Sequence, residues 1–162
     1  MDKDLTIRFA VEEDVETILS FINALAAYEK LEDQVVATPE ILKTWLFDKK
    51  KAEVLLAEID GKAVAFALFF HNFSTFLGRA GIYLEDLFVL PEYRKCGIGK
   101  KMMQTLANIA VSRGCGRFEW SCLDWNTPSI GFYKSLGAVP MDEWTVYRLT
   151  GSSLENVSNA GE

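Results

Sequence analysis

Two apolar segments on either side of an Asp-Gly dipeptide constrain the fold of this 162-residue chain more than any other feature. The segments read AEVLLAEI and KAVAFALFF, and Asp60-Gly61 separates them. Asp-Gly is one of the pairs that two-residue turns between antiparallel strands prefer, because both turn residues take positive φ angles. The sequence therefore predicts a β-hairpin in the middle of the chain, against which the other elements must pack.

Alternating strand and helix patterns surround this hairpin. The segment LTIRFA predicts a first strand, and apolar residues at helical spacing predict a helix over residues 11–30. Thr38 and Pro39 suit the N-cap and first position of a second helix. Downstream, the patterns predict a strand at 81–90, a helix at 98–113, a strand at 117–123, a short helix at 128–136 and a last strand at 144–150. The order β-α-α-β-β-β-α-β-α-β predicts one mixed α/β domain over residues 1–150, followed by a polar tail over 151–162.

Charge and composition narrow the classes of partner. The net charge of −6 and the pI of about 4.9 argue against nucleic acid, whose binding requires a basic face. An acidic surface suits a small cationic substrate. The longest apolar run, residues 63–70, is too short to cross a membrane, and the N-terminus has no apolar leader segment. We therefore expect a cytoplasmic protein with no nucleic-acid or membrane partner.

The metal-ligating residue types are sparse. Cys96, Cys115 and Cys122 form no CxxC pair, and His71 is the single histidine. A zinc site therefore lacks ligands, and we expect no metal. An odd number of free thiols is typical of a reducing compartment.

The stretch EYRKCGIGKKMM joins the 81–90 strand to the 98–113 helix and resembles an anion-binding loop. Helix N-termini attract anions, and Gly97 and Gly99 would let the backbone approach a ligand closely. The basic residues nearby are Arg94, Lys95, Lys100 and Lys101. The stretch fits neither the P-loop pattern nor the dinucleotide fingerprint. A plain glycine turn with solvated lysines remains the alternative reading.

A second informative stretch is CLDWNTPSIGFYKSLGA. Here a strand ends, Asn126 offers a side-chain amide, and Pro128 begins a short helix. Tyr133 follows seven residues after Asn126 and so lies on roughly the same side. It has the chemistry of a proton donor, although an ordinary half-buried core tyrosine gives the same pattern.

Together the two stretches resemble the GNAT superfamily of N-acetyltransferases. Arg94 to Gly99 matches its acyl-CoA loop pattern R-x-x-G-x-G. The second stretch matches its motif N-x-x-[SA]-x-x-[FL]-Y-x-x-x-G-[FA], in the right order and about 30 residues downstream. YLEDLFVLPEYRKCGIG, LAAYEKLEDQV and LDWN further resemble the spermidine/spermine, or diamine, N-acetyltransferases, and LDWN and RGCGRF are most similar to the thialysine branch.

The resemblance implies the GNAT fold, which is a central, twisted, mostly antiparallel sheet with helices on both faces. It also implies acetyl-CoA as co-substrate, a small cationic diamine (a polyamine, thialysine or a lysine-like compound) as acceptor, and a homodimer. In the family's scheme the amine attacks directly, Tyr133 is the general acid, and Glu85 is a base that acts through water.

The resemblance assigns further residues to each ligand. Those implied for the cofactor are Leu87, Phe88, Val89, Arg94, Lys95, Cys96, Gly97, Ile98, Gly99, Lys100, Asn126, Pro128 and Ser129. Those implied for the acceptor are Tyr28, Glu29, Glu85, Asp86, Glu119, Trp120 and Ser121. Since neighbouring strand residues face opposite sides, we expect Glu85 and Asp86 to do different things. Two alternatives stay open: acetylation of another kind of amine, and acyl-CoA binding without turnover.

Overall fold

The computed structural model describes residues 4–160. They group into two compact units, which divide between Ser121 and Cys122. The first unit contains a five-stranded sheet in the order β1-β2-β3-β4-β5. The strands are β1 (Leu5–Phe9), β2 (Glu53–Ile59), β3 (Lys62–Ser74), β4 (Arg79–Val89) and β5 (Phe118–Trp120).

The central hairpin is confirmed. Asp60 and Gly61 have φ angles of 52° and 74°, as a two-residue turn of this kind requires. Strands β2 and β3 pair antiparallel, with Leu56 opposite Phe66. The alanine and leucine side chains at the centre of this pair are fully buried, so the hairpin forms the middle of the sheet and not an exposed flap.

Helix α1 (Val15–Tyr28) covers one face of the sheet. Its Phe21 ring stacks on the Phe66 ring of β3 with the centroids 5.2 Å apart, and both side chains are buried. The predicted second helix forms, and Thr38 caps it by accepting a hydrogen bond from the Ile41 amide at 3.2 Å. Its regular part α2 (Pro39–Leu42) is short, and it continues as a π-helix over Lys43–Asp48. Leu42 and Leu46 join the same core as Phe21.

Helix α3 (Ile98–Ser112) connects β4 to β5 as a crossover, and these two strands are parallel. It buries its apolar stripe, which includes Met102 and Leu106. At its C-terminal end the Arg113 guanidinium lies 5.9 Å from the Phe69 ring centroid. Phe66 and Phe69 are an odd number of residues apart on β3 and face opposite sides, so α1 and α3 pack on opposite faces. The predicted mixed, mostly antiparallel sheet with helices on both faces is confirmed.

The second unit contains α4 (Thr127–Ser135) and α5 (Gly151–Ser158). The short helix predicted at 128–136 is confirmed. The strand predicted at 144–150 is wrong: these residues have no strand partner among residues 4–160, and their side chains are exposed. The alternation of apolar and polar residues in WTVYRLT indicates only that its side chains favour a strand. A strand also needs a neighbouring strand to which its backbone groups can hydrogen-bond. Part of the predicted tail is helical, because α5 lies within it.

Candidate active site

Strand β4 carries a bulge at Glu85. Leu68 of β3 lies opposite Asp86, and the next residue, Phe69, lies opposite Leu84, so Glu85 is the additional residue of β4. A bulge interrupts the ladder, bends the strand and turns its side chains. On the other side of β4, strand β5 pairs only with residues 82–84. Across the described chain, residues 85–89 of β4 therefore have a partner strand on one side only.

The bulge decides where the site's side chains point. After it, Asp86 and Phe88 lie opposite Leu68 and Phe66 and share the face that α1 covers. In a strand without the bulge, Asp86 and Phe88 would each pair with the adjacent residue of β3 and would face α3 instead. The strict alternation expected for Glu85 and Asp86 therefore does not apply, since Glu85 is the bulged residue. Asp86 is half-buried and Glu85 is exposed.

Three carboxylates come together at this point. Burial, followed by the charges of Glu85 and Glu29, raises the pKa of Asp86 to about 6. Burial also raises the pKa of Glu29, the residue that directly follows α1. A half-buried carboxylate that is repelled by two neighbouring negative charges favours binding of a cation, because a positive group relieves that repulsion.

An aromatic pair and one arginine border the carboxylates. Tyr28, at the end of α1, and Phe88 of β4 meet edge to face with ring centroids 6.4 Å apart. The Arg94 guanidinium carbon lies 5.0 Å from the Tyr28 centroid and 5.1 Å from the Phe88 centroid. Its Nε donates to the Val89 carbonyl at 3.0 Å. The structure thus brings together Tyr28, Glu29, Glu85 and Asp86, which the family resemblance assigned to the acceptor.

The glycine loop that follows has a backbone suited to an anion. Lys95 and Gly97 both adopt left-handed conformations, with φ of 62° and 81°, and Gly97 is the N-cap of α3. Alternating left-handed positions at a helix start turn successive amides toward one side. A Cβ added at Gly97 would meet no atom within 4 Å, so the loop surface there is open. The lysines and Cys96 are exposed, Ile98 is buried and anchors the helix, and the first turn of α3 has no acidic residue.

These features fit the pyrophosphate of an acyl-CoA. The first amides of α3 have no partner within the helix and carry the positive end of its dipole. Lys95 and Lys100 add positive charge beside them. Leu87 and Val89, half-buried on β4, precede the loop and lie where one edge of the strand has no partner in the described chain.

The residues assigned to the acceptor on β5, and Ser121 directly after it, have structural contacts of their own. Glu119 pairs with Arg117 at 2.8 Å and accepts a hydrogen bond from the Asn72 side chain at 3.1 Å. The Ser121 hydroxyl is 2.7 Å from the hydroxyl of Tyr83. Glu119 therefore has less capacity to bind an ammonium group than the three carboxylates near α1. Trp120 packs against Phe118, with ring centroids 4.9 Å apart.

Sequence reasoning missed two side-chain arrangements beside the carboxylates. Tyr83 stands on the same face of β4 as Asp86, and its position just before the Leu84-Glu85-Asp86 stretch could have drawn attention to it. The stacking of Arg94 on Tyr28 was also missed, because no pattern in the sequence links two residues so far apart along the chain.

The second unit holds the remaining candidates. Asn126 is buried and accepts a hydrogen bond from the Ser129 amide at 3.5 Å, which caps α4. Pro128 stands in the first turn, as its fixed φ favours. Tyr133 is half-buried on the same helix, and its ring centroid lies 5.5 Å from that of Phe132.

Comparison with known proteins gives this geometry a family. Residues 9–138 match the model of the acetyltransferase (GNAT) family. The chain belongs to the GNAT family. It is 39% identical to the thialysine N-epsilon-acetyltransferase of Sus scrofa, over 94% of this chain and 96% of that protein. It is 31% identical to the L-ornithine N5-acetyltransferase of Arabidopsis thaliana, over 93% of this chain and 86% of that protein.

Solved structures agree on the fold. An integron cassette protein from V. cholerae superposes with a TM-score of 0.81 and 26% identity, covering 96% of this chain and 98% of that one. The predicted resemblance is confirmed, and this GNAT protein is an acetyl-CoA-dependent N-acetyltransferase. Within the described residues, no helix is both long and apolar enough to span a membrane. The same residues contain no cluster of three or more His, Cys, Asp or Glu side chains arranged around a common point for a metal ion.

Proposed function

We propose that this enzyme acetylates one amine of a small diamine, such as a polyamine, thialysine or a lysine-like compound. The observation that carries the proposal is the trio Glu29, Glu85 and Asp86, which accumulates negative charge beside the bulge of β4. A diamine must keep one ammonium charged and bound while the other loses its proton and reacts. Similarity to enzymes named for thialysine and L-ornithine supports the same class of acceptor.

In this proposal the loop from Arg94 to Lys100 holds the cofactor's pyrophosphate with its amides. Leu87, Phe88 and Val89 line the way to the reacting end, and the family resemblance assigns Asn126, Pro128 and Ser129 to the same ligand. Acetyl-CoA supplies a thioester carbonyl that an amine attacks. An amide of β4 near the bulge donates to the oxygen that becomes negative as the amine adds.

Glu85 and Tyr133 would handle the protons. The exposed Glu85 accepts the amine proton through a water, and Tyr133 protonates the departing sulfur. Asp86, Glu29 and Tyr28 hold the distal ammonium group. Glu119, Trp120 and Ser121 contribute a more distant wall of the acceptor site. We further propose that residues 1–150 act as one domain and that the enzyme is a cytoplasmic homodimer.

The test incubates the enzyme with acetyl-CoA and each of a panel of acceptors, and measures the rate at which the free thiol of CoA is released. Thialysine, ornithine and spermidine should react, and monoamines of equal length should react at least about tenfold less efficiently, since a lost charged contact corresponds to about 1.4 kcal/mol or more. Equal rates for diamines and monoamines would refute the acceptor class. An aminoglycoside belongs in the panel, because acetylation of another kind of amine is the open alternative.

Tyr133→Phe tests the acid. It should lower kcat by about 10²-fold or more, the usual range for a general acid, and leave acetyl-CoA affinity nearly unchanged. Equal loss of turnover and cofactor affinity would assign Tyr133 to structure instead. Phe132→Leu, on the same helix, is the matched control for disturbed packing.

A further inference from the structure

Arg94 begins the glycine loop, yet its side chain contacts the acceptor side of the site. The guanidinium carbon is 5.0 Å from the Tyr28 ring centroid and 5.1 Å from that of Phe88. Nε donates to the Val89 carbonyl at 3.0 Å, which fixes the plane of the group at the end of β4. One side chain therefore contacts both the last residue of α1 and the last residues of β4.

The neighbouring residues connect this contact to both ligands. On one side, Arg94 is directly followed by Lys95, which has a left-handed backbone, and the N-cap Gly97 comes two residues later. On the other side, Tyr28 is directly followed by Glu29 of the carboxylate trio. A shift of the loop backbone on binding pyrophosphate would therefore move the arginine and, with it, the residues that face the amine.

A planar guanidinium suits this place better than an ammonium group does. Its flat face can stack on aromatic rings while its edge donates hydrogen bonds, whereas lysine offers a compact charge on a flexible chain. A residue needed only for its charge near phosphate would tolerate lysine. A residue needed for stacking would not.

We propose that Arg94 is a positioning residue that ties the cofactor loop to Tyr28, so that occupation of the loop sets the affinity for the acceptor amine. This inference rests on the proposed function, because it takes Tyr28 and Glu29 as part of the amine site. It assigns the side chain of Arg94 to the acceptor and leaves only its backbone to the pyrophosphate. Binding of the two ligands is then positively coupled through this side chain.

The experiment measures KM for thialysine at saturating acetyl-CoA, and the Kd of acetyl-CoA in the absence of any amine, in Arg94→Gln and Arg94→Lys, with far-UV circular dichroism to verify folding. Both variants should raise KM for thialysine about tenfold, equivalent to about 1.4 kcal/mol, and change this Kd of acetyl-CoA less than about threefold. Lys100→Gln removes a charge from the same loop without touching the rings. This variant should show the opposite result: weaker binding of acetyl-CoA and little change in KM for thialysine.

A double-mutant cycle shows whether Arg94 acts through Tyr28. Tyr28→Leu and Arg94→Gln should each raise KM for thialysine, and KM in the double variant should be hardly higher than in either single variant. Tyr28→Phe keeps the aromatic ring, so Arg94→Gln should still raise KM for thialysine about tenfold in that background. Multiplicative losses in the double variant would refute the coupling.

The remaining outcomes separate two failures. If the loss in both Arg94 variants falls on acetyl-CoA, or if lysine restores activity, Arg94 is a phosphate ligand and the inference is wrong while the proposed function stands. If the wild-type enzyme acetylates none of the diamines, the proposed function fails, and this inference fails with it.

Discussion

Replacing Asp86 with asparagine should make the folded protein more stable at neutral pH. Asp86 is half-buried beside two other carboxylates, and its pKa rises from 3.8 to about 6 on folding. One pKa unit corresponds to about 1.36 kcal/mol, so ionised Asp86 costs the folded state up to about 3 kcal/mol. Screening by water at a half-buried site reduces the expected gain in Asp86→Asn to about 2 kcal/mol.

The pH dependence gives this prediction its sign. Because the pKa is raised on folding, the carboxyl group stabilises the folded protein only while it is protonated. Its favourable contribution is complete below about pH 3.8 and is lost as the pH rises through about 6. The advantage of Asp86→Asn should therefore be full at pH 7, shrink below pH 6 and nearly vanish near pH 4.

Urea unfolding followed by tryptophan fluorescence at pH 7, 5.5 and 4 measures the difference. Asp33→Asn, at an exposed position of the same unit, is the control and should stay within about 0.5 kcal/mol of the wild type. An Asp86→Asn protein that is no more stable than wild type at pH 7 would refute the reasoning, and so would a gain that does not change with pH. The same variant should bind the diamine more weakly, since a stabilised site often loses function.

Two other substitutions test the frame around the site. Gly97→Ala should lower the free energy of unfolding by about 1 kcal/mol and raise KM for acetyl-CoA. A Cβ at this position would meet no atom within 4 Å, so the cost comes from the φ angle of 81° alone. Gly99→Ala is the control, because Gly99 does not have a positive φ angle. Phe66→Ala should cost about 3–5 kcal/mol in thermal or urea unfolding, because the fully buried ring stacks on Phe21. A loss below about 1 kcal/mol would mean that the core around Phe66 collapses to fill the space.

Local signals account for what the sequence predicted well. Asp60-Gly61 determines the hairpin through its own φ angles, and Thr38-Pro39 determines the start of α2 through a cap and a fixed φ. The glycine loop before α3 and the short helix around Pro128 are likewise short-range features. Such features need no knowledge of the rest of the fold, which is why they could be predicted with correct positions.

What the sequence did not predict depends on distant partners. The bulge at Glu85 is defined only by the pairing of β4 with β3. Counting alternate residues along β4 alone therefore predicted a regular alternation of Glu85 and Asp86, which the bulge interrupts. Residues 144–150 have the side chains of a strand but no neighbouring strand in the described chain. The contact of Arg94 with Tyr28 joins residues that only the folded chain brings together.

The additional residue in β4 also bears on how such an enzyme can change over generations. Removing Glu85 alone would restore a regular ladder and still leave Asp86 opposite Leu68 and Phe88 opposite Phe66. Insertion or loss of one codon at this position would therefore add or delete a carboxylate without turning the rest of the strand. Elsewhere in β4 the same change would move apolar side chains out of the core. The chemistry of the acceptor can thus evolve at one position by a change in length, while the packing that supports it stays as it is.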